Sequence, residues 1–218
     1  IRIGWQGEAR IRMWDMRVLQ GIIGPFLRKH PEVDFVAAGD PNVHDILGVP
    51  EAQRISYDKV LWHDTPKITN TMDIGLVPLE LNPFNEAKSD LKGKEYNACG
   101  IPFIASPSSS YVDWTEVGKN GFLARRPRDW LRHLEVLCSD DRLRKEMGIY
   151  GRAKVEKFWI QDNAYKWNDL YLELSGDEAD QITRTAIARG AIQKPPQLSS
   201  FIRYLSERPP PNTVVEIG

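Results

Sequence analysis

Apolar residues along this chain fall into short continuous runs separated by stretches with helical spacing. Ile1 to Gly7 (IRIGWQG), Val33 to Ala38 (VDFVAA), Gln53 to Tyr57 (QRISY), Asp73 to Leu79 (DIGLVPL), Pro102 to Ala105 and Gly121 to Ala124 read as strands. From Met13 to His30, Trp14, Val18, Ile22 and Phe26 recur every four residues, which predicts one long helix ended by Pro31. Helices are also expected over Lys88 to Cys99, Asp129 to Cys138, Asp140 to Phe158 and Asn163 to Leu174. Apolar strands alternating with helices imply a parallel sheet covered on both faces, a doubly wound α/β domain.

The pattern changes after about Ser175. Gly176 to Arg189 is polar and helix-prone, Lys194-Pro195-Pro196 is a break, and Leu198 to Leu205 reads as a short amphipathic helix. Pro209-Pro210-Pro211 is a stiff spacer before Val214 to Gly218, which reads as another strand. The expected division is a domain over 1–175 and a helical extension over 176–218. A chain that opens and closes in strands reads as a piece of something larger.

Composition narrows the function classes. At 218 residues the chain is long enough to bury roughly 70% of its unfolded surface without disulfides or a metal. Lys plus Arg total 29 and Asp plus Glu 30, a balance that argues against a dedicated nucleic-acid or polybasic membrane binder. The two cysteines, Cys99 and Cys138, have neither metal spacing nor a disulfide framework, so a reducing, cytoplasmic setting is expected. No apolar run approaches the roughly 18 residues of a membrane span.

Open α/β sheets bind ligands beyond the carboxyl ends of their strands. The segment after the most apolar strand, Leu81 to Pro102, is therefore the first place to look. Its helix start carries Lys88 and Ser89, where free N–H groups and a partial positive charge suit a phosphate. Lys88, Lys92, Glu95 and Cys99 follow offsets of four, three and four and share one face. That face offers cations for a diphosphate and, one turn on, a carboxylate able to accept hydrogen bonds from a ribose diol. The bland reading is an exposed Lys92–Glu95 pair contributing about 0.2–0.5 kcal/mol.

DIGLVPL, FNEAKSDLKGKEYNACGIPFIAS and YVDWTEVGKNGFLA together resemble the carboxy-terminal, nucleotide-sugar-binding half of a GT-B glycosyltransferase of the retaining group 1 superfamily. The likeness spans roughly residues 1 to 175. It implies that Glu95 binds the donor ribose and that Asn85 to Ser89 form the loop around diphosphate and sugar. It also implies that Lys88 and Lys92 neutralise phosphate, and that Gly100 and Pro102 shape the turn into the next strand. Catalysis would be mainly electrostatic, with donors placed where charge develops on the leaving diphosphate. The donor would be a nucleoside diphosphate sugar, with no cofactor or metal required.

One departure stands out. The common pattern of that superfamily has a first glutamate eight residues before the second, at the sugar hydroxyls. Here that position is Ala87, so Glu86 or Asn85 is the expected substitute. Gly7 closes the first strand, and Arg10 or Arg12 after it stands near the expected phosphate-binding position, or simply at a solvated helix start. Tyr57 either stacks on the base or packs. Ser108 to Ser110 either borders the donor site or forms a plain turn, and none of the four histidines shows paired ligand spacing. Trp130, Trp159 and Trp167 are expected to pack.

The tail carries a second likeness. Val-Val-Glu-Ile-Gly at 214–218 is similar to the first strand and first cofactor-loop glycine of a class I S-adenosylmethionine methyltransferase. The expected whole is a glycosyltransferase donor domain with an unknown acceptor, joined to a methyltransferase-like domain. An amino-terminal GT-B domain would be its other partner, and little turnover is expected without it. Two alternatives remain open: a non-catalytic nucleotide- or sugar-binding module, and a sugar-nucleotide epimerase of the same architecture.

Overall fold

The computed structural model describes residues 1–7, 9–160 and 162–166, with backbone alone for 9–12 and 62. Six strands form one parallel sheet: β1 (Arg2–Gln6), β2 (Asp34–Gly39), β3 (Arg54–Asp58), β4 (Ile74–Val77), β5 (Phe103–Ala105) and β6 (Gly121–Leu123). Their order is β3-β2-β1-β4-β5-β6. All six expected strands are present, and the strand order reverses between β1 and β4. The crevice above that reversal is where a doubly wound sheet receives a ligand.

Alternation along each strand builds two cores. Phe35 and Ala37 of β2 face one cluster, with Ile3, Trp5, Ile74, Leu76 and Ile104. Val36 and Ala38 face the other, with Val77, Phe103 and Ala105. Helices α1 (Ala9–Met16), α2 (Ile23–Lys29) and α3 (Val43–Leu47) cover the first face, and α4 (Thr65–Thr69) lies on the second. After β4 come α5 (Pro83–Glu86), α6 (Leu91–Ala98) and α7 (Ser109–Trp114); α8 (Pro127–Ser139) and α9 (Asp141–Val155) follow β6. Trp130 of α8 is fully buried in the first core, as expected for a packing residue.

Two helix expectations change. The long helix over 13–30 is broken: α1 ends at Met16, a 3-10 turn follows, and α2 begins at Ile23. Gly21 at φ +74° marks the break. Met16, Leu19, Ile22, Ile23 and Phe26 are buried, Ile22 and Phe26 as expected, whereas Trp14 is 60% exposed under the Arg17 guanidinium. The helix expected from Lys88 starts at Leu91, which puts Lys88 and Ser89 in the turn between α5 and α6. The five-residue α3 and α4 and the four-residue α5 lack the length that periodicity needs, and were not foreseen.

Glycines set two close approaches. On α9, a Cβ at Gly148 would stand 2.1 Å from Gly100 O, and one at Gly151 would stand 2.6 Å from Asn97 Nδ2. Both lie on one face, so α9 presses against the end of α6. At the carboxyl ends of β1 and β2, a Cβ on Gly39 (φ +104°) would stand 2.6 Å from Gly7 O, while Gly7 N–H donates to Ala38 O at 2.9 Å. Gly39→Ala is expected to cost about 1–2 kcal/mol of stability. A fall in thermal midpoint checks this, and an unchanged midpoint would refute it.

The unit built on this sheet runs from Ile1 to Glu156, and a second begins at Lys157. Residues 162–166 of the second are helical. The boundary expected near 176, Trp167, the rest of the helix expected to Leu174 and the methyltransferase-like tail lie outside the described residues. Among the described residues, no helix is long and apolar enough to cross a membrane.

Candidate functional site

A cleft of about 830 Å³ opens at the carboxyl ends of β1, β2 and β3. Its floor is Gln6-Gly7 and Ala38 to Asn42; its walls are Asp58 to Val60, Thr65 and Ile68 of α4, and Lys92 and Glu95 of α6. A second chamber of about 210 Å³ lies at the end of β4 and is lined by Asp15, Met16, Val77 to Leu79, Lys88, Ser89 and Tyr111. Lys92 and Glu95 line both cavities. The two side chains picked out by helical spacing therefore stand at the divide.

Glu95 is partly buried, and burial raises its carboxyl above the ordinary glutamate range against the pull of Lys92 and a hydrogen bond from Gln6. Gln6 Nε2 donates to Glu95 Oε2 at 2.6 Å. Thr69 Oγ1 donates to Gln6 Oε1 at 2.8 Å, which fixes which end of the amide faces the carboxylate. Lys92 Nζ donates to Gln6 O at 2.6 Å, so its ammonium sits over the end of β1 in the first turn of α6. The pair is anchored from β1 and α4 rather than left as a solvated helix face.

Gln6 and Thr69 were not singled out from the sequence. A glutamine ending the otherwise apolar strand IRIGW was the available signal: a buried amide at a strand's carboxyl end needs partners there.

Lys88 points into the small chamber from its turn. Its Nζ lies 3.3 Å from Asp15 Oδ2 and 4.8 Å above the Phe84 ring. Asp15 is 5% exposed; its Oδ1 accepts from Asn85 Nδ2 at 2.7 Å and from Glu80 N at 3.0 Å. Spacing gave no hint of Asp15, because its partners lie some seventy residues away. Ser89 lines the same chamber.

Other expected site residues go elsewhere. The Glu86 carboxylate accepts from Ser109 N (2.8 Å) and Ser109 Oγ (2.7 Å), which caps α7 and holds its carboxyl below the usual range. It lines neither cavity. Asn85 is buried and spends its amide on Asp15 and on Glu80 O, so it supports the chamber from behind. Tyr57 packs on the second core beside Ile55, Val60 and Ile68, and Asp58, Lys59 and Val60 face the cleft instead. Lys59 does so at φ +50°, uncommon for a residue other than glycine.

Gly7 lies on the cleft floor. Arg12 is in α1, and its side chain and that of Arg10 lie outside the described residues. Ser110 Oγ donates to Lys88 O at 2.7 Å, so the serine segment stitches the α5–α6 turn in place. Among the described residues, no group of three or more His, Cys, Asp or Glu side chains could hold a metal ion.

No known family profile matches the chain. A 104-residue stretch, 47% of the chain, is 36% identical to a D-inositol 3-phosphate glycosyltransferase of Corynebacterium jeikeium. The match spans only 24% of that relative's length. The solved C-terminal domain of a group 1 glycosyl transferase from Francisella tularensis aligns with a TM-score of 0.54 at 18% identity, covering 72% of this chain and 84% of that one. The chain shares the fold of that domain, a Rossmann-like half of the GT-B architecture.

A larger solved structure, the pneumococcal O-GlcNAc transferase GtfA in complex with UDP and GlcNAc, aligns with a TM-score of 0.60 at 16% identity over 81% of this chain and 36% of its own. The segment from Phe84 to Pro102 supplies Lys88, Ser89, Lys92 and Glu95 to the lining of the cavities.

Proposed function

We propose that this domain binds a nucleoside diphosphate sugar and holds it for glycosyl transfer. The supporting observation is Glu95, a carboxylate aimed by Gln6 at the divide between a nucleoside-sized cleft and a small chamber, with Lys92 beside it. A carboxylate there accepts from both hydroxyls of a ribose, with the base lying toward Asp58 to Val60. The diphosphate then crosses the first turn of α6, where free N–H groups, Lys92 and Lys88 meet its charge. As the glycosidic bond breaks, negative charge grows on the leaving phosphate oxygen, and the same donors stabilise it.

The proposal extends to retention of configuration, to a cytoplasmic setting consistent with two free cysteines, and to an acceptor offered by a second GT-B domain. Residues 1–175 are proposed as the donor unit and 176–218 as its join to a methyltransferase-like domain. Calorimetric titration of the 218-residue chain with UDP and with GDP tests the core of the reading. Micromolar to millimolar binding of one of them, about 4–8 kcal/mol, is expected; no heat with either, from a folded chain, would refute it. Engagement of Glu86 at the α7 cap also favours a second reading, a binding module without transfer, and product analysis with the complete parent protein separates the two.

A further inference from the structure

The wall of the larger cleft at the end of β3 breaks the alternation of a strand. Successive strand side chains point to opposite faces, yet Asp58, Lys59 and Val60 all line this one cavity. The cause is Lys59, whose φ of +50° turns the chain out of the strand through the left-handed region. Such a conformation in a residue other than glycine persists only where its surroundings hold it, and it brings two adjacent charged residues to one wall.

Three carboxylates line this cleft, those of Asp40, Asp58 and Glu95. Asp40 Oδ1 accepts from Asn42 N at 3.0 Å and from Asn42 Nδ2 at 2.8 Å, and Glu95 accepts from Gln6. Among the described residues, the Asp58 side chain makes no hydrogen bond or ion pair, and neither does that of Lys59. Asp58 is exposed at the cleft wall, so both of its oxygens keep their acceptor capacity for a ligand.

The bases differ sharply toward such a group. Guanine carries N1–H and an exocyclic N2–H side by side, two parallel donors that match the two oxygens of a carboxylate, and O6 next to them accepts from an ammonium. Uracil carries a single N3–H between two carbonyl oxygens, which a carboxylate repels on both sides. Adenine and cytosine each place a ring-nitrogen acceptor beside their amino group. Ala38, Val60 and Ile68 line the same cleft and give the face of a base an apolar support.

Resting on the donor reading above, in which the base lies toward Asp58 to Val60, we infer that Asp58 is a specificity-determining residue that selects guanine, so that the donor is a guanosine diphosphate sugar. Its two oxygens accept from guanine N1–H and N2–H, and the Lys59 ammonium donates to O6.

The test is calorimetric titration of the full 218-residue chain with GDP, with UDP and with inosine diphosphate, whose base is guanine without the 2-amino group. The wild type should bind GDP about ten- to a hundredfold more tightly than either of the others. Asp58→Ala should bind GDP and inosine diphosphate alike, because the group that reads the amine is gone. Asp58→Asn, left with one acceptor oxygen and an N–H that opposes the second donor, should lose most of the difference too, and serves if the Ala variant does not fold. A wild type that binds UDP or inosine diphosphate as tightly as GDP would overturn the inference and leave the donor reading standing. A preference for GDP over inosine diphosphate that survives both substitutions would overturn it as well. A wild type that binds none of the three would overturn the donor reading, and this inference with it.

Discussion

Glu95→Gln should weaken nucleotide binding by about 3 kcal/mol, roughly a hundredfold, while leaving the free domain as stable as before or more so. The two effects have one cause. In the free domain the carboxylate is partly desolvated, and burial outweighs the help of Lys92 and Gln6 enough to raise its pKa. A carboxyl raised in the folded state binds more protons than the unfolded chain does just above the usual value of 4.5. Its contribution therefore makes stability fall as pH rises through that window, and at neutral pH the charge is a net cost.

An amide removes that cost and still accepts from Gln6 Nε2, but it can accept from only one ribose hydroxyl and presents N–H to the other. Wild-type nucleotide affinity should also begin to fall at a higher pH than an ordinary glutamate would dictate, because the protonated form accepts poorly. Calorimetry at several pH values, with thermal melts of both proteins, checks each part. A variant that binds nucleotide as well as the wild type would remove Glu95 from the site.

Asn97→Leu should destabilise the domain by about 3–5 kcal/mol, the largest loss expected of any substitution discussed. Asn97 is fully buried at the end of α6. Its Oδ1 accepts from Trp114 Nε1 at 3.1 Å and Asn120 Nδ2 at 3.0 Å; its Nδ2 donates to Ile101 O and Asn120 O. Asn120 Oδ1 in turn accepts from Glu116 N at 2.8 Å. Leucine has similar volume but strands these donors and acceptors away from water. Gly151 packs against the same amide, so the branched side chain also meets α9. Urea unfolding gives the number, and a loss below about 1 kcal/mol would show that the network relaxes onto other partners.

These two residues sit two positions apart, and they mark what could be read from the chain alone. The strands were legible because each is a short apolar run between turn residues, and β4 as Ile74–Val77 sits inside DIGLVPL. Glu95 and Lys92 were legible because helical spacing puts them on one face after a strand. The break at Gly21 was hidden by a four-residue period running through it, although the buried set follows steps of three and four. Gln6, Thr69 and Asp15 were invisible, since each acts on a residue more than sixty positions away. Glu86 was misleading for the same reason. Its helix-capping partner, Ser109, lies twenty-three residues on, and no local pattern shows that the carboxylate is already engaged.

The close approach of Gly7 and Gly39 has a bearing on how this site can change. Where the two glycines meet, the floor of the larger cleft is main chain, and its shape there does not depend on which side chains happen to be present. Variation among Asp58, Lys59 and Val60 alters the wall against which a base would rest without touching Glu95, Gln6 or the glycine floor. If the proposed donor site is right, the grip and the address are separate parts of the chain, and a library confined to those three positions is a direct route to redirecting base preference.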